Sequence, residues 1–181
     1  MSGEREQVPW ALLVGHAETR ARYEQKVYRR GPQQCAYWIG AISDSGHGKL
    51  RAGPAGKTSR IVSAHVLGYG IEHGAQALDK VELVRHTCDS PSCQNSGHWL
   101  PGTRQDNVQD YASRSRLAGH ALADTRGAAG RAVAIREAIR TTLAKGGDAA
   151  AVEAAIREAS LAGQPGGAWQ DGLWELPAEQ D

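Results

Sequence analysis

The stretch RHTCDSPSCQNSGHWLPGTRQDN, residues 85–107, carries two different sets of reactive side chains. Four residues separate Cys88 from Cys93, and four more separate Cys93 from His98. Three soft or borderline ligands on a loop with few apolar residues suit a metal staple better than a disulfide framework. A structural zinc takes four such ligands in a tetrahedron. The chain has three cysteines, and the remaining one is Cys35. It opens a predicted strand that can lie against the loop, so the expected ligand set is Cys35, Cys88, Cys93 and His98. His47 and His65 are rivals for the fourth place. A site closed by four protein ligands would stabilise the fold and leave no position for catalysis.

His86 and Asn107 are not needed by that cluster. KVELVRH, residues 80–86, reads as a strand that delivers His86 at its end, and strand alternation turns it away from the zinc ligands. Thr103 is a predicted N-cap with Asp106 three residues on, and the helix it opens should run to about Leu117. Asn107 then lies on the first turn of that helix. A neutral imidazole can take a proton from water near neutral pH. An amide oxygen is a hard ligand suited to magnesium, which keeps waters and substrate phosphates around it. Such an ion can stabilise charge on the departing 3′ oxygen of a phosphodiester. The pair therefore reads as the working groups of a one-metal nuclease.

Outward from this stretch, residues 17–30 read as a helix with Tyr23 and Val27 on one face, stopped by Gly31 and Pro32. CAYWIGAI (35–42) reads as a strand, SDSGHG as a turn and KLRAG as the start of a return strand. Ser63 is placed to cap a short helix ending near Gly70. Residues 87–102 read as loop, and the Ala- and Gly-rich residues 118–130 as a linker. A helical hairpin is predicted next. Val133, Ile135, Ile139 and Leu143 form one apolar stripe, and Val152, Ile156 and Leu161 the other. Gly146 and Gly147 end the first helix, and Asp148 caps the second. The predicted class is α+β, with one domain over residues 1–120 and a linker, hairpin and extended tail over 121–181.

With 181 residues the chain can bury a real core. No apolar run approaches a membrane span and no signal-peptide pattern opens the sequence, so a cytoplasmic protein without membrane contact is expected. The net charge of +1 hides an asymmetry. Residues 1–120 hold fifteen Lys and Arg against eleven Asp and Glu, whereas residues 121–181 hold six against nine. The first part suits a polyanion and the second does not.

The segment HTCDSPSCQNSGHWLPGTRQDN closely resembles the HNH, or ββα-metal, endonucleases, nearest the zinc-bound His–Cys box homing enzymes and related phage HNH proteins. The resemblance extends over roughly residues 20–117, through CAYWIGAISDSGHGKL and SAHVLGYGIEHG. It implies a ββα-metal core with a structural zinc at Cys35, Cys88, Cys93 and His98. It also implies His86 as general base and Asn107 as a catalytic magnesium ligand. Many relatives carry an acidic residue or a second His where this chain has Arg85, which leaves Asn107 as the expected protein ligand to magnesium. Asn95 stands at the middle Asn of the family name and reads as a loop-fixing residue.

The resemblance further implies double-stranded DNA as the partner. The sheet bearing Lys49 and Arg51 would lie on it, with Arg51 as a catalytic phosphate contact. Arg104, Arg114 and Arg116 are expected to contact phosphates, and Asp110 could orient Asn107. A homing or phage-type nicking enzyme in a bacterial or phage-infected cell is the expected setting. The alternatives are a restriction or defence nuclease of the same chemistry and a zinc-stapled DNA-binding module without catalysis. The hairpin could pack on the core, form a homodimer or touch DNA. Gln170, Leu173 and Trp174 in the tail loosely resemble a peptide that docks on the bacterial sliding clamp.

Overall fold

Trp38 organises the largest core and is fully buried. It packs with Leu13, Tyr23, Leu50, Val62 and Leu67, drawn from five separate elements. The structure is a computed structural model, and it describes residues 8–114 and 120–165. In chain order α1 spans Trp10–Gly15, α2 Ala17–Glu24, β1 Val27–Tyr28, β2 Tyr37–Trp38, β3 Ala41–Ile42, β4 Gly48–Ala52 and β5 Arg60–Ser63. Then come α3 (Ala64–His73), a 3-10 turn (Ala75–Lys80), β6 (Leu83–His86), a short 3-10 turn (Ser96–His98), β7 (Trp99–Gly102) and α4 (Arg104–Arg114). The hairpin closes the described chain as α5 (Gly127–Ala144) and α6 (Ala149–Leu161). The class is α+β, with small antiparallel sheets β1-β2, β3-β4-β5 and β6-β7 among the described residues.

Helix α3 lies between two cores. Leu67 faces the Trp38 core, while Tyr69 joins Leu78, Val84 and Trp99 on the other side. The two sides meet at Gly68, where a Cβ would stand 2.3 Å from Tyr23 Oη and 2.6 Å from the Trp99 ring. Only a glycine lets both aromatic side chains approach the helix this closely. Ser63 occupies the position before α3, but no side-chain cap bond forms; its Oγ accepts a hydrogen bond from Lys49 Nζ at 3.0 Å.

Four elements differ from the sequence expectation. The helix expected over 17–30 ends at Glu24, and Val27 and Tyr28 instead pair with Trp38 and Tyr37. β-branched and aromatic residues gain more from cross-strand packing here than from continuing a helix. The strand expected over 35–42 is divided, because Tyr37–Trp38 and Ala41–Ile42 belong to different sheets. Trp38 folds over the break and donates from Nε1 to the Ala41 carbonyl at 3.0 Å. The expected loop 87–102 contains β7, whose Trp99 pairs with His86 and Gly102 with Leu83. Pro101 is tolerated there because a two-stranded sheet consists of edges.

The expected linker is the fourth difference. Asp124 is buried and accepts from Arg126 Nε at 2.9 Å, from Arg126 Nη2 at 2.7 Å and from Arg131 Nη1 at 3.3 Å. Thr125 N donates to the Gly163 carbonyl at 2.7 Å, which ties this corner to the end of α6. A close-packed ionic corner stands where a flexible linker is expected, and Gly163 leaves the space for it: a Cβ there would meet the Asp124 carboxylate and the Arg126 guanidinium. In the hairpin Ile135, Ile139, Val152 and Ile156 are buried as expected, but Val133, Leu143 and Leu161 are exposed, and Ala132 takes a buried place. The apolar face covers Tyr28, Cys35, Tyr37 and Ile39, so the hairpin packs on the segment that leads into β2. Arg30 pairs with Glu153 across the same junction. No helix among the described residues is long and apolar enough to cross a membrane.

Candidate metal centre and adjoining cleft

Backbone pairing brings the two halves of the Cys cluster together. Trp38 N donates to Ser92 O at 3.0 Å, and Gln94 N to Ala36 O at 2.6 Å, so the loop after β6 runs as a partner of β2. Asn95 closes the arrangement. Its Nδ2 donates to the carbonyls of Pro32 (2.9 Å) and Gln34 (2.7 Å), and its Oδ1 accepts from Gly97 N at 3.0 Å. This is the loop-fixing role expected of it. Gln94 is buried beside it and accepts from Tyr23 Oη at 3.1 Å, which links the loop to α2.

Cys35, Cys88, Cys93 and His98 thus converge, with their ligand atoms within 4.8 Å of one another. Cys93 Sγ lies 3.5 Å and Cys35 Sγ 3.7 Å from His98 Nδ1. The rivals His47 and His65 are not part of this group. Cys93 is fully buried, and Cys35 and Cys88 are half-buried. Packed this tightly, the thiols compete for protons. Hydrogen bonds from Cys88 and Cys93 pull the Cys35 pKa far down, and the interaction with Cys35 pushes both of theirs up. A divalent cation removes that conflict by favouring every thiolate together. The donor set, three sulfurs and one imidazole, fits a metal such as zinc.

His86 ends β6 and is buried. Its Nε2 lies 3.1 Å from the Cys93 carbonyl, which also accepts from Trp99 Nε1 at 3.3 Å. The carbonyl fixes Nε2 as the protonated nitrogen, and Nδ1 keeps the lone pair. Burial pushes the His86 pKa down to about 4, with the Cys93 hydrogen bond working against that shift. His47 and His65 stand next to it. Their ring centroids lie 6.1 and 4.8 Å from that of His86. Burial lowers the pKa of both; Lys49 adds to the effect at His47, and the two neighbouring imidazoles and Lys49 add to it at His65.

Asn107 is exposed on the first turn of α4. The expected cap is in place: Asp106 N donates to Thr103 Oγ1 at 3.2 Å, while Asp106 Oδ2 accepts from Thr103 N at 2.8 Å. Asn107 lines one opening together with Ser45, His47, His86, Asp89 and Tyr111. It also lines an adjacent cleft with His47, Lys49, Ser63 and His65. The expected pair, His86 and Asn107, therefore shares a wall.

The basic residues divide. Lys49 lines the cleft, whereas Arg51 lies two residues further on, exposed, with Nη1 3.2 Å from Ser59 Oγ. Arg104 is exposed, 3.6 Å from Glu82. Arg114 is held internally, with Asp89 and Asp110 each at 3.0 Å and the Thr87 carbonyl at 3.3 Å. Asp110 also pairs with Arg85 at 2.5 Å, so it fastens α4 to β6. Arg116 and the tail residues Gln170, Leu173 and Trp174 lie outside the described residues. The sequence reading did not group His47 and His65 with His86. They come from a turn, a helix and a strand, spaced 18 and 21 residues apart, and no local periodicity marks them.

Two phage proteins resemble this chain. Protein 7.7 of Escherichia phage T7 is 29% identical over 86 residues, which is 48% of this chain and 61% of that protein. Protein 2.8 of the same phage is 30% identical over 91 residues, 50% of this chain and 58% of that protein. The chain thus spans about three-fifths of the length of each relative. No family model matches the sequence, and no solved structure matches it.

Proposed function

We propose that this protein is an HNH endonuclease that cuts double-stranded DNA with a histidine base and magnesium, on a ββα core stapled by zinc. The observation that carries the reading is the placement of His86. One ring nitrogen is held by the Cys93 carbonyl, and the other is left for a cleft that Asn107 also lines. The reading takes β6, β7 and α4 as the two strands and the helix of that core. The reading is of a homing or phage-type nicking enzyme, and the two phage relatives support an infected cell as its setting.

In this reading His86 Nδ1 takes a proton from the attacking water while Nε2 stays on the Cys93 carbonyl. Burial keeps the ring neutral at neutral pH, so the base needs no prior deprotonation. Asn107 Oδ1 would hold magnesium, which when bound supplies charge stabilisation at the phosphate and the departing 3′ oxygen. Lys49, on the same wall, is better placed than Arg51 to contact that phosphate. The zinc ligands act at a distance, by holding the loop whose carbonyl orients His86. The products are a 5′ phosphate and a 3′ hydroxyl.

The test is plasmid nicking by purified protein with magnesium. Wild type should nick and His86→Ala should lose about 10²–10⁴-fold in rate while keeping its fold, its DNA binding and the zinc of the Cys cluster. Equal nicking by both proteins would end the assignment of His86 as base. Absence of nicking by wild type, with DNA binding retained, would leave a DNA-binding module.

A further inference from the structure

The imidazoles of His47, His65 and His86 meet at the back of the cleft. Neighbouring ring centroids lie 4.9 and 4.8 Å apart, and one nitrogen of each ring lies within 4.8 Å of the others. Two of the rings are also anchored through one nitrogen. His47 Nδ1 lies 2.9 Å from Ser45 Oγ, and His86 Nε2 lies 3.1 Å from Cys93 O. His65 Nδ1 is left buried without a partner. A ring anchored as a donor on one side presents a lone pair on the other, which is the arrangement that orients metal-ligating histidines. Imidazole lone pairs that face one another in such a cluster repel unless a cation or a donor stands between them.

We propose that His47, His65 and His86 form a second metal site, for a first-row transition ion such as zinc or nickel, whose filling withholds His86 from use as a base. The site is chemically distinct from the magnesium position, because imidazole nitrogens suit borderline ions and magnesium takes oxygen. Three imidazoles leave a coordination position open toward the cleft. Lys49 lines the cleft and works against a cation, so removing its charge should tighten the ion. The regulatory half rests on the nuclease reading; the metal site does not.

The experiment uses the full chain with its Cys cluster already filled with zinc, and titrates cobalt. Wild type should take up one further equivalent, with ligand-field bands and no thiolate charge-transfer band. His47→Gln should weaken that binding about tenfold or more, and Lys49→Gln should strengthen it. His65→Ala removes a buried ring and can disturb the fold; His47 sits on a turn, so its variant keeps the test open. No cobalt beyond the Cys cluster, or equal binding by His47→Gln, overturns the site. In plasmid nicking with magnesium, stoichiometric zinc should slow wild type at least about tenfold and should slow His47→Gln far less. Unchanged or faster nicking with the site filled overturns the regulatory half. Cobalt binding by a protein that never nicks DNA keeps the site and removes the nuclease reading.

Discussion

The Cys93 peptide couples two functions within one residue. Its sulfur belongs to the candidate metal centre, and its carbonyl receives His86 and Trp99. Cys93→Ser should therefore release the metal and also loosen the His86 ring. A loss of about 3 kcal/mol or more is expected, which for a chain of this size is a fall in Tm of roughly 6–12 °C. Metal analysis and a thermal melt check it; an unchanged melt without metal would separate the ion from the fold. Asn107 is the opposite case. It is exposed, so Asn107→Ala should shift stability by no more than about 0.5 kcal/mol. Nicking by that variant should still collapse, with only partial rescue by excess magnesium. Asn107→Asp should tighten the ion without restoring the rate, because the added charge repels the phosphate. Activity and melting measured on the same preparations decide the point.

Among the elements, α4 depends on its cap. Thr103→Ala removes the bond from Asp106 N and should cost about 1 kcal/mol, read by chemical denaturation. The corner at Asp124 carries a pH dependence. Burial alone would raise its pKa, but hydrogen bonds from Arg126 and Arg131 outweigh that and hold it below the usual carboxylate value. A depressed native pKa gives stability that is complete above the unfolded value and is lost as pH falls through the native one. Urea melts should thus show a stability loss below about pH 4. Asp124→Asn should flatten that acid limb and cost about 3 kcal/mol at neutral pH, since two arginines lose their partner. These elements also mark the limit of sequence reading. The Thr103 and Asp148 caps were legible because their bonds are local. Strand β1, strand β7 and the Asp124 corner were not, because each depends on contacts that local patterning does not mark: Val27 opposite Trp38, Trp99 opposite His86, and Thr125 tied to Gly163 at the end of α6. The Cys cluster was legible from ligand chemistry. The histidine triad was not, because three elements must first assemble it.

At the scale of the molecule, the hairpin and the Cys cluster hold one segment, residues 35–37, between them. Tyr37 packs against Ile135, Ile139, Val152 and Ile156, and Cys35 packs at the edge of the same group. Ile139→Ala should cost about 2–5 kcal/mol, and it should also speed loss of cluster metal to a chelator. A destabilised hairpin with unchanged metal release would show that the two grips are independent. Gly46 adds a third attachment. It adopts a φ of 83°, and a Cβ there would stand 2.7 Å from Pro91 and 2.8 Å from the Ala128 carbonyl. The turn that presents His47 is thereby wedged between the Cys-bearing loop and the start of α5.

Arg30 and Glu153, which join across the hairpin contact, are 123 residues apart in sequence. During synthesis, every cluster ligand has left the ribosome once residue 98 has emerged, while the covering helices are still to be made. The segment around Tyr37 must wait with its apolar side bare, a condition that favours aggregation of partly made chains. A metal ion captured at that stage would hold the segment in register until its cover arrives. Zinc supply during translation, more than in the finished protein, would then set how much of the chain is recovered folded.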